Sequence, residues 1–594
     1  MRYLSFLLLF AATASATPWD EKTVDLFTHL PVQDAGRVKP LSTVASYALL
    51  RMNHQRTFRD AEKKSRSPTE WLLEVLFRPD EARQEKFFLV ENSAVLDAVG
   101  LTDVVRQRRD RYSYEELAPA RGRLMQLAHD YDQIKAQDRT PVQSELIDLG
   151  QAFLEFERYA QLLDFGRSGD VVKKLEDGSL SGQDAVRLFD GSVALALFPP
   201  VDGSDAWLTP QDLVSLALAG HPPAPEHVAM LEALERMASS GDETTFREAA
   251  AEFYGRSRQI ATTRGEYRKI PLEVSYYKLD AFTKGLVFYI LGFVLVAVTW
   301  LWPNAWLKRA AIAATATGLA FNATGIVLRC ILLGRPPVLN LYDTILFITA
   351  VGVLSSLVIE FINRRGIGLA AAPILGSLGM FISNRFELIE SRDTLRLLQA
   401  VLDTNFWLAT HVVCITIGYS AGLLASAIGH VYVIGRIVGL KRGNKSFYRN
   451  IARMVYGTLC FALLFSVVGT ILGGIWANYS WGRFWGWDPK ENGALLIVLA
   501  QLALIHAKLD GRLRDLGVSV ASILVGGVVS WSWWGVNLLG VGLHSYGFTG
   551  GVWTGLITFW SIEGLVLFAT LVSWLVSRSA ATPPESGATE ANPV

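Results

Sequence analysis

The chain has 594 residues, 51% of them hydrophobic, and 56 basic side chains balance 56 acidic ones to a formal net charge of zero. That length exceeds one ordinary domain, and the balanced charge lacks the basic surface or stripe expected of a nucleic-acid partner. With three cysteines, no C-x-x-C and no C-x-x-C-H, the sequence excludes a thiol–disulfide centre and is not itself a c-type cytochrome.

The first sixteen residues combine Arg2, an apolar run from Leu4 to Ala12 and the small-x-small triplet Ala14-Ser15-Ala16. That pattern predicts a cleaved signal peptide over 1–16, which sends the following segment out of the cytoplasm. Residues 17–280 are rich in charge and contain no apolar run of membrane length. Amphipathic stretches near 68–77, 113–136, 142–164, 209–219 and 224–254, separated by Pro- and Gly-containing turns, predict a mainly helical domain. It has no cysteine and therefore no disulfide; Cys330, Cys414 and Cys460 all fall in membrane segments and read as small apolar packing residues.

From residue 283 the character changes. Apolar runs recur at roughly 283–302, 310–333, 342–362, 367–384, 406–434, 453–475, 492–509, 517–539 and 553–576. The predicted fold class is all-α: a polytopic membrane helix bundle of about nine spans preceded by an exported, mainly helical soluble domain. Loops after the odd-numbered spans hold Lys308 and Arg309, Arg364 and Arg365, the basic group Arg436, Lys441, Arg442, Lys445 and Arg449, and then Lys508, Arg512 and Arg514. The positive-inside rule puts these loops in the cytoplasm and agrees with the signal peptide. Residues 577–594, rich in Ser and Pro, read as a disordered cytoplasmic tail. No phosphate loop, dinucleotide fingerprint or zinc-ligand spacing occurs.

Between spans six and seven, on the predicted outer face, the chain reads W-A-N-Y-S-W-G-R-F-W-G-W-D-P-K-E from Trp476 to Glu491. Arg483, Asp488, Lys490 and Glu491 would each cost roughly 2.5–3.5 kcal/mol in hydrocarbon, so this stretch belongs at a membrane surface. Its indoles are rigid π-faces suited to a large flat ligand such as a porphyrin. An interfacial aromatic belt is the plainer alternative, but a belt does not require the D-P-K-E tail.

That string resembles the tryptophan-rich WWD signature of the CcsA (ResC) family of system II cytochrome c maturation. Gly334 to Phe347 (G-R-P-P-V-L-N-L-Y-D-T-I-L-F) and Gly540 to Phe548 (G-V-G-L-H-S-Y-G-F) are similar to further family stretches, so the likeness runs through 283–576. A weaker likeness, Val32 to Thr43 (V-Q-D-A-G-R-V-K-P-L-S-T), points to the soluble segment of some long members. The resemblance implies a bacterial inner-membrane protein that handles haem b as cargo, with apocytochrome c, a CcsB/ResB-like protein and a thiol-reducing partner around it. It also implies a haem lyase role, with a haem transporter or chaperone that does no chemistry and a b-type electron-transfer cytochrome as the alternative readings.

Four of the nine histidines lie in the membrane half: His411, His430, His506 and His544. His411, near the outer end of span five, and His544, in the loop after span eight, flank the tryptophan loop. Two imidazoles above an aromatic platform suit haem iron, and by resemblance these are the family's external axial pair. His506 lies about 22 Å down its helix from Glu491 at 1.5 Å per residue, and matches the family's membrane histidine. The family's second membrane histidine usually comes from CcsB, and no CcsB portion is visible here. His430, about 28 Å below His411 by the same rise, is the candidate to replace it, with a core or interfacial histidine as the other reading. The remaining histidines read as surface residues.

Within the loop, Trp481, Trp485 and Trp487 are the candidate porphyrin contacts. Arg483 and Lys490 are candidates for the propionates. Asp488 can accept from an axial imidazole or cap the start of span seven, where Pro489 occupies the first turn.

Overall fold

In the computed structural model, residues 19–579 are described except 61, 102–103, 105–109, 136–137, 168, 190, 194, 397–403 and 543–551. The predicted signal peptide, His544 and the C-terminal tail from residue 580 lie outside the described residues; residues 577–579, read as the start of a disordered tail, continue the last helix, Val552–Ser579. The chain divides into two compact units: Met1–Leu279 with Ser391–Leu397, and Asp280–Glu390 with Leu398–Val594.

The first unit is mainly helical, as its periodicity predicts. Its core is aromatic, with Trp71, Phe87, Phe88, Phe153 and Phe156 all buried. Helices start where the residue types dictate: Ser67, Thr140 and Thr209 each cap a helix whose first residue is proline, and each closes a capping box. The long stretch expected at 224–254 is two helices, Pro225–Ser239 and Glu243–Thr263. The break falls at Ser240–Gly241, and Asp242 restarts the chain by accepting from the Thr245 amide at 2.8 Å.

The hydrophobic pattern did not announce a small hairpin, β1 (Pro31–Asp34) with β2 (Arg37–Pro40). Its register pairs Asp34 with Arg37, so Ala35 and Gly36 form a two-residue turn with φ of 51° and 76°. The hairpin presents Arg37 and Lys39 to the segment that follows span four. Lys39 Nζ and Arg37 Nη2 each donate to Asp393 Oδ2 at 2.8 Å. Arg37 also forms a salt bridge to Glu273, which accepts from Thr43 Oγ1 at 2.9 Å. Beside them Arg51 donates to the Ser391 carbonyl at 3.0 Å, and the Thr394 amide points at the Tyr47 hydroxyl at 3.4 Å.

Among the described residues, nine helices are long and apolar enough to cross a membrane, and their apolar parts fall in the second unit. Spans one to four are Tyr267–Leu301, whose apolar part is Ala281–Leu301, then Ala305–Leu333, Leu341–Asn363 and Ile367–Glu390. Spans five to nine are Asn405–Ile437, Lys445–Trp481, Pro489–Leu509, Asp515–Trp533 and Val552–Ser577. Span five is the central helix: 67% of its apolar core is buried, against 11% for span nine. It packs on spans six and eight. Span six is longer than its hydrophobic run suggests, at 37 residues, or about 55 Å at 1.5 Å per residue. Trp476, Tyr479 and Trp481 therefore ride on its helical end, and the true loop begins at Gly482, a left-handed C-cap with φ of 70°. A buried ion pair, Arg329 Nε to Asp343 Oδ1 at 2.7 Å, ties span two to span three.

Candidate haem site

Span five begins with Asn405–Trp407 and passes at once into one π-helical turn, Leu408–Val412, and His411 sits in it. The extra residue in such a turn re-aims the side chains around it, and π turns concentrate at functional sites. Span six meets this face with small residues at helical spacing. A Cβ at Gly418 would stand 2.7 Å from Ser466 Oγ, one at Gly469 2.7 Å from the Ile415 amide, and one at Gly473 2.6 Å from His411 Cε1. Only hydrogen at 469 and 473 lets the two helices approach this closely.

The imidazole is thereby seated. Its Nδ1 lies 2.7 Å from the Gly469 carbonyl, an acceptor only, so the proton stands on Nδ1 and the lone pair on Nε2. A ligand imidazole oriented by a backbone carbonyl is the arrangement that metal-binding histidines use. The Trp476 ring lies 5.7 Å from that of His411, tilted by 60°.

The loop is short and folded. Phe484 turns back over Gly474, where a Cβ would meet its ring at 2.6 Å. The Arg483 guanidinium occupies the space a side chain at Gly486 would need. Trp485 and Trp487 stand nearly perpendicular with centroids 6.2 Å apart. Trp487 is 69% exposed and has φ of 57°, a left-handed conformation that costs a bulky residue about 1–3 kcal/mol. The indole N–H groups of Trp476 and Trp485 are buried with no hydrogen-bond partner among the described residues. Trp481 closes the last turn of span six.

Asp488 caps span seven. Its Oδ1 accepts from the amides of Lys490 at 2.9 Å and Glu491 at 3.0 Å, while Glu491 Oε2 accepts from the Gly486 amide at 2.7 Å. The capping alternative is thus formed, with Pro489 in the first turn. Lys490 commits its ammonium elsewhere, donating to the Trp533 carbonyl at 2.8 Å and to Asn537 Oδ1 at 3.1 Å, at the end of span eight. The chain leaving span eight passes over the same cap: a Cβ at Gly542 would stand 3.0 Å from Asp488 Cβ. Gly542 is two residues before His544 in sequence.

The inner histidines have different surroundings. His430 Nδ1 lies 2.9 Å from the Ser426 carbonyl, and its Nε2 lies 3.9 Å from Glu563 Oε1 in span nine. Glu563, 6% exposed, is a membrane carboxylate that the sequence reading missed. It was findable, being the only charged residue between Val552 and Ser577, and such a residue is a functional candidate by default. His506 Nδ1 lies 2.9 Å from the Leu502 carbonyl, and its ring faces out of the bundle.

A seated imidazole, exposed and buried indoles, and a guanidinium beside them fit a porphyrin with its iron and propionates. Residues 338–544 match the family described as cytochrome C assembly protein. The CcsA cytochrome c biogenesis protein of Synechococcus sp. strain CC9311 is 33% identical in an alignment 258 residues long that covers 37% of this chain and 83% of that protein. That of strain CC9605 is 30% identical over 256 residues, 39% of this chain and 83% of that protein. The chain belongs to the CcsA family of cytochrome c biogenesis proteins. The family match runs from span three to the segment after span eight, and the CcsA alignments leave most of the chain outside them. Protein NrfI of Wolinella succinogenes is 26% identical over 377 residues, 61% of this chain and 40% of that protein, and so reaches beyond the CcsA-sized portion.

Proposed function

We propose that this CcsA-family chain is the haem lyase component of a system II assembly. It holds haem b at an external site between His411 and His544 and presents it to an exported apocytochrome c. The single observation that carries this reading is the seat of His411: a π turn, a glycine ladder and the Gly469 carbonyl fix one imidazole with its Nε2 lone pair beside the tryptophan end of span six.

Trp476, Trp481, Trp485 and Trp487 supply π-faces for the ring, and Arg483 faces the propionates. His430 and His506 receive haem nearer the cytoplasmic side. Each C-x-x-C-H thiol of the apoprotein adds across a vinyl group: sulfur bonds to one vinyl carbon and a proton goes to the other, with no net oxidation. Holding both reactants can lower the barrier by roughly 7–11 kcal/mol. A CcsB/ResB-like protein and a thiol-reducing partner complete the system, and the loop charges support an outward-facing tryptophan loop.

The test is maturation of a reporter cytochrome in a host without its own maturation genes, beside the spectrum of the purified protein. The parent should yield covalent haem on the reporter and a bis-imidazole spectrum. His411→Ala combined with His544→Ala should abolish both. Haem binding without covalent product would make the chain a haem chaperone instead.

A further inference from the structure

Glu491 reaches further than its place at the start of span seven requires. In a capping box the acid at the third helical position turns back to the amide of the cap, and Glu491 does so, its Oε2 accepting from the Asp488 amide at 3.3 Å. The shorter bond of the same oxygen, 2.7 Å, goes to the Gly486 amide, two residues ahead of the cap and inside the tryptophan loop. Helix capping asks nothing of that amide. Glu491 is 9% exposed, and its Oε1 is buried with no hydrogen-bond partner among the described residues. Amide bonds to a carboxylate belong to the strong class, and a carboxylate at this burial needs them.

Gly486 and Asp488 flank Trp487 in the chain, and Trp487 is the residue held at φ of 57°. A bulky side chain stays in that region only where its surroundings over-determine the backbone. Here those surroundings are the first turn of span seven. Glu491 grips the amides on either side of Trp487, and Asn492 Nδ2 donates to the Trp487 carbonyl at 2.9 Å. Asp488 is fixed in turn, its Oδ1 accepting from the amides of Lys490 and Glu491. Release of the backbone at Trp487 would re-aim its indole relative to that of Trp485.

We propose that Glu491 is a positioning residue for the porphyrin platform. Through the Gly486 and Asp488 amides it locks Trp487 in the left-handed turn that stands its indole across that of Trp485. This rests on the reading of Trp485 and Trp487 as haem contacts. The platform is set before haem arrives, so binding does not have to order the loop.

The test uses the full chain in detergent with two readouts, deuterium uptake by the peptide covering 482–488 and affinity for haem b added to the haem-free protein. Glu491→Ala should speed exchange at Gly486 and Asp488 by about tenfold to a hundredfold, the range for losing hydrogen bonds to a charged group. Its haem affinity should fall about tenfold, as the strained turn relaxes. Glu491→Gln, which keeps an oxygen acceptor, should restore most of both. Asn492→Ala loosens the Trp487 carbonyl and should shift both readouts the same way by a smaller factor. It decides the matter if Glu491→Ala fails to fold, and parental values of both would then overturn the proposal. Parental exchange in a folded Glu491→Ala protein overturns the lock. Faster exchange with parental haem affinity overturns the positioning role and leaves a capping box. Trp485→Ala and Trp487→Ala proteins that bind haem as the parent does remove the platform reading and the positioning role with it, while the exchange result still decides the lock.

Discussion

Lys39 Nζ sits 2.8 Å from Asp393 Oδ2, joining two residues 354 positions apart in the chain. Burial alone pushes the Asp393 carboxyl up, but the Lys39 ammonium and the Arg37 guanidinium overcome it and hold the group below its ordinary value. A carboxylate with a depressed folded-state pKa contributes stability above its unfolded value, and that contribution disappears as pH falls through the folded one. Thermal unfolding followed between pH 6 and about 2 should therefore show a loss beginning near pH 4, the unperturbed range of Asp. Asp393→Asn should be less stable at neutral pH and flatter across that window.

Gly473 tests the seat of His411. A methyl group there would lie 2.6 Å from His411 Cε1, so Gly473→Ala must move the imidazole at a cost of about 1–3 kcal/mol. The expected result is a folded protein with reduced external haem. Gly457→Ala, on the same helix with nothing within 4 Å of the added carbon, is the control and should behave as the parent.

Asp488 separates two roles that the sequence left open. Asp488→Ala removes the cap of span seven and should cost about 1 kcal/mol, whereas Asp488→Asn keeps an acceptor oxygen and should be nearly neutral. If capping is its whole task, Asp488→Asn retains parental haem content. A tenfold or greater loss of haem affinity in a stable Asn variant would assign it to the support of an axial imidazole instead.

The Arg329–Asp343 pair between spans two and three is buried on both sides, each side chain 4% exposed. Arg329→Met or Asp343→Leu alone should destabilise by about 3–5 kcal/mol, because each strands the partner's charge. The double variant should recover much of that loss. Thermal unfolding of the four proteins forms the cycle that measures the coupling.

Hydropathy located every span, because twenty apolar residues in a row leave a chain few alternatives. Helix ends were harder. Span six runs on from Trp476 to Trp481 since Tyr479 and its neighbours are acceptable in a helix, and only Gly482 stops it. The β1–β2 hairpin hid in D-A-G-R, where the turn signal is one glycine and each strand is four residues. The π turn under His411 has no signature of its own in the residues Leu408–Val412. Glu563 was legible and passed over: a solitary acid in an apolar run says that a partner lies across the bundle, though not which one. Lys490 looked available to a propionate in one dimension and is occupied at the end of span eight in three.

Span six is nearly twice as long as the hydrocarbon layer is thick, so it must lean or stand proud of the lipid. The indoles at its tip are then placed by the inclination of a stiff rod and not by a pliant connector. On the function proposed above, bilayer thickness becomes a variable of the chemistry: lipids with shorter or longer acyl chains would raise or lower the aromatic shelf relative to the surrounding water.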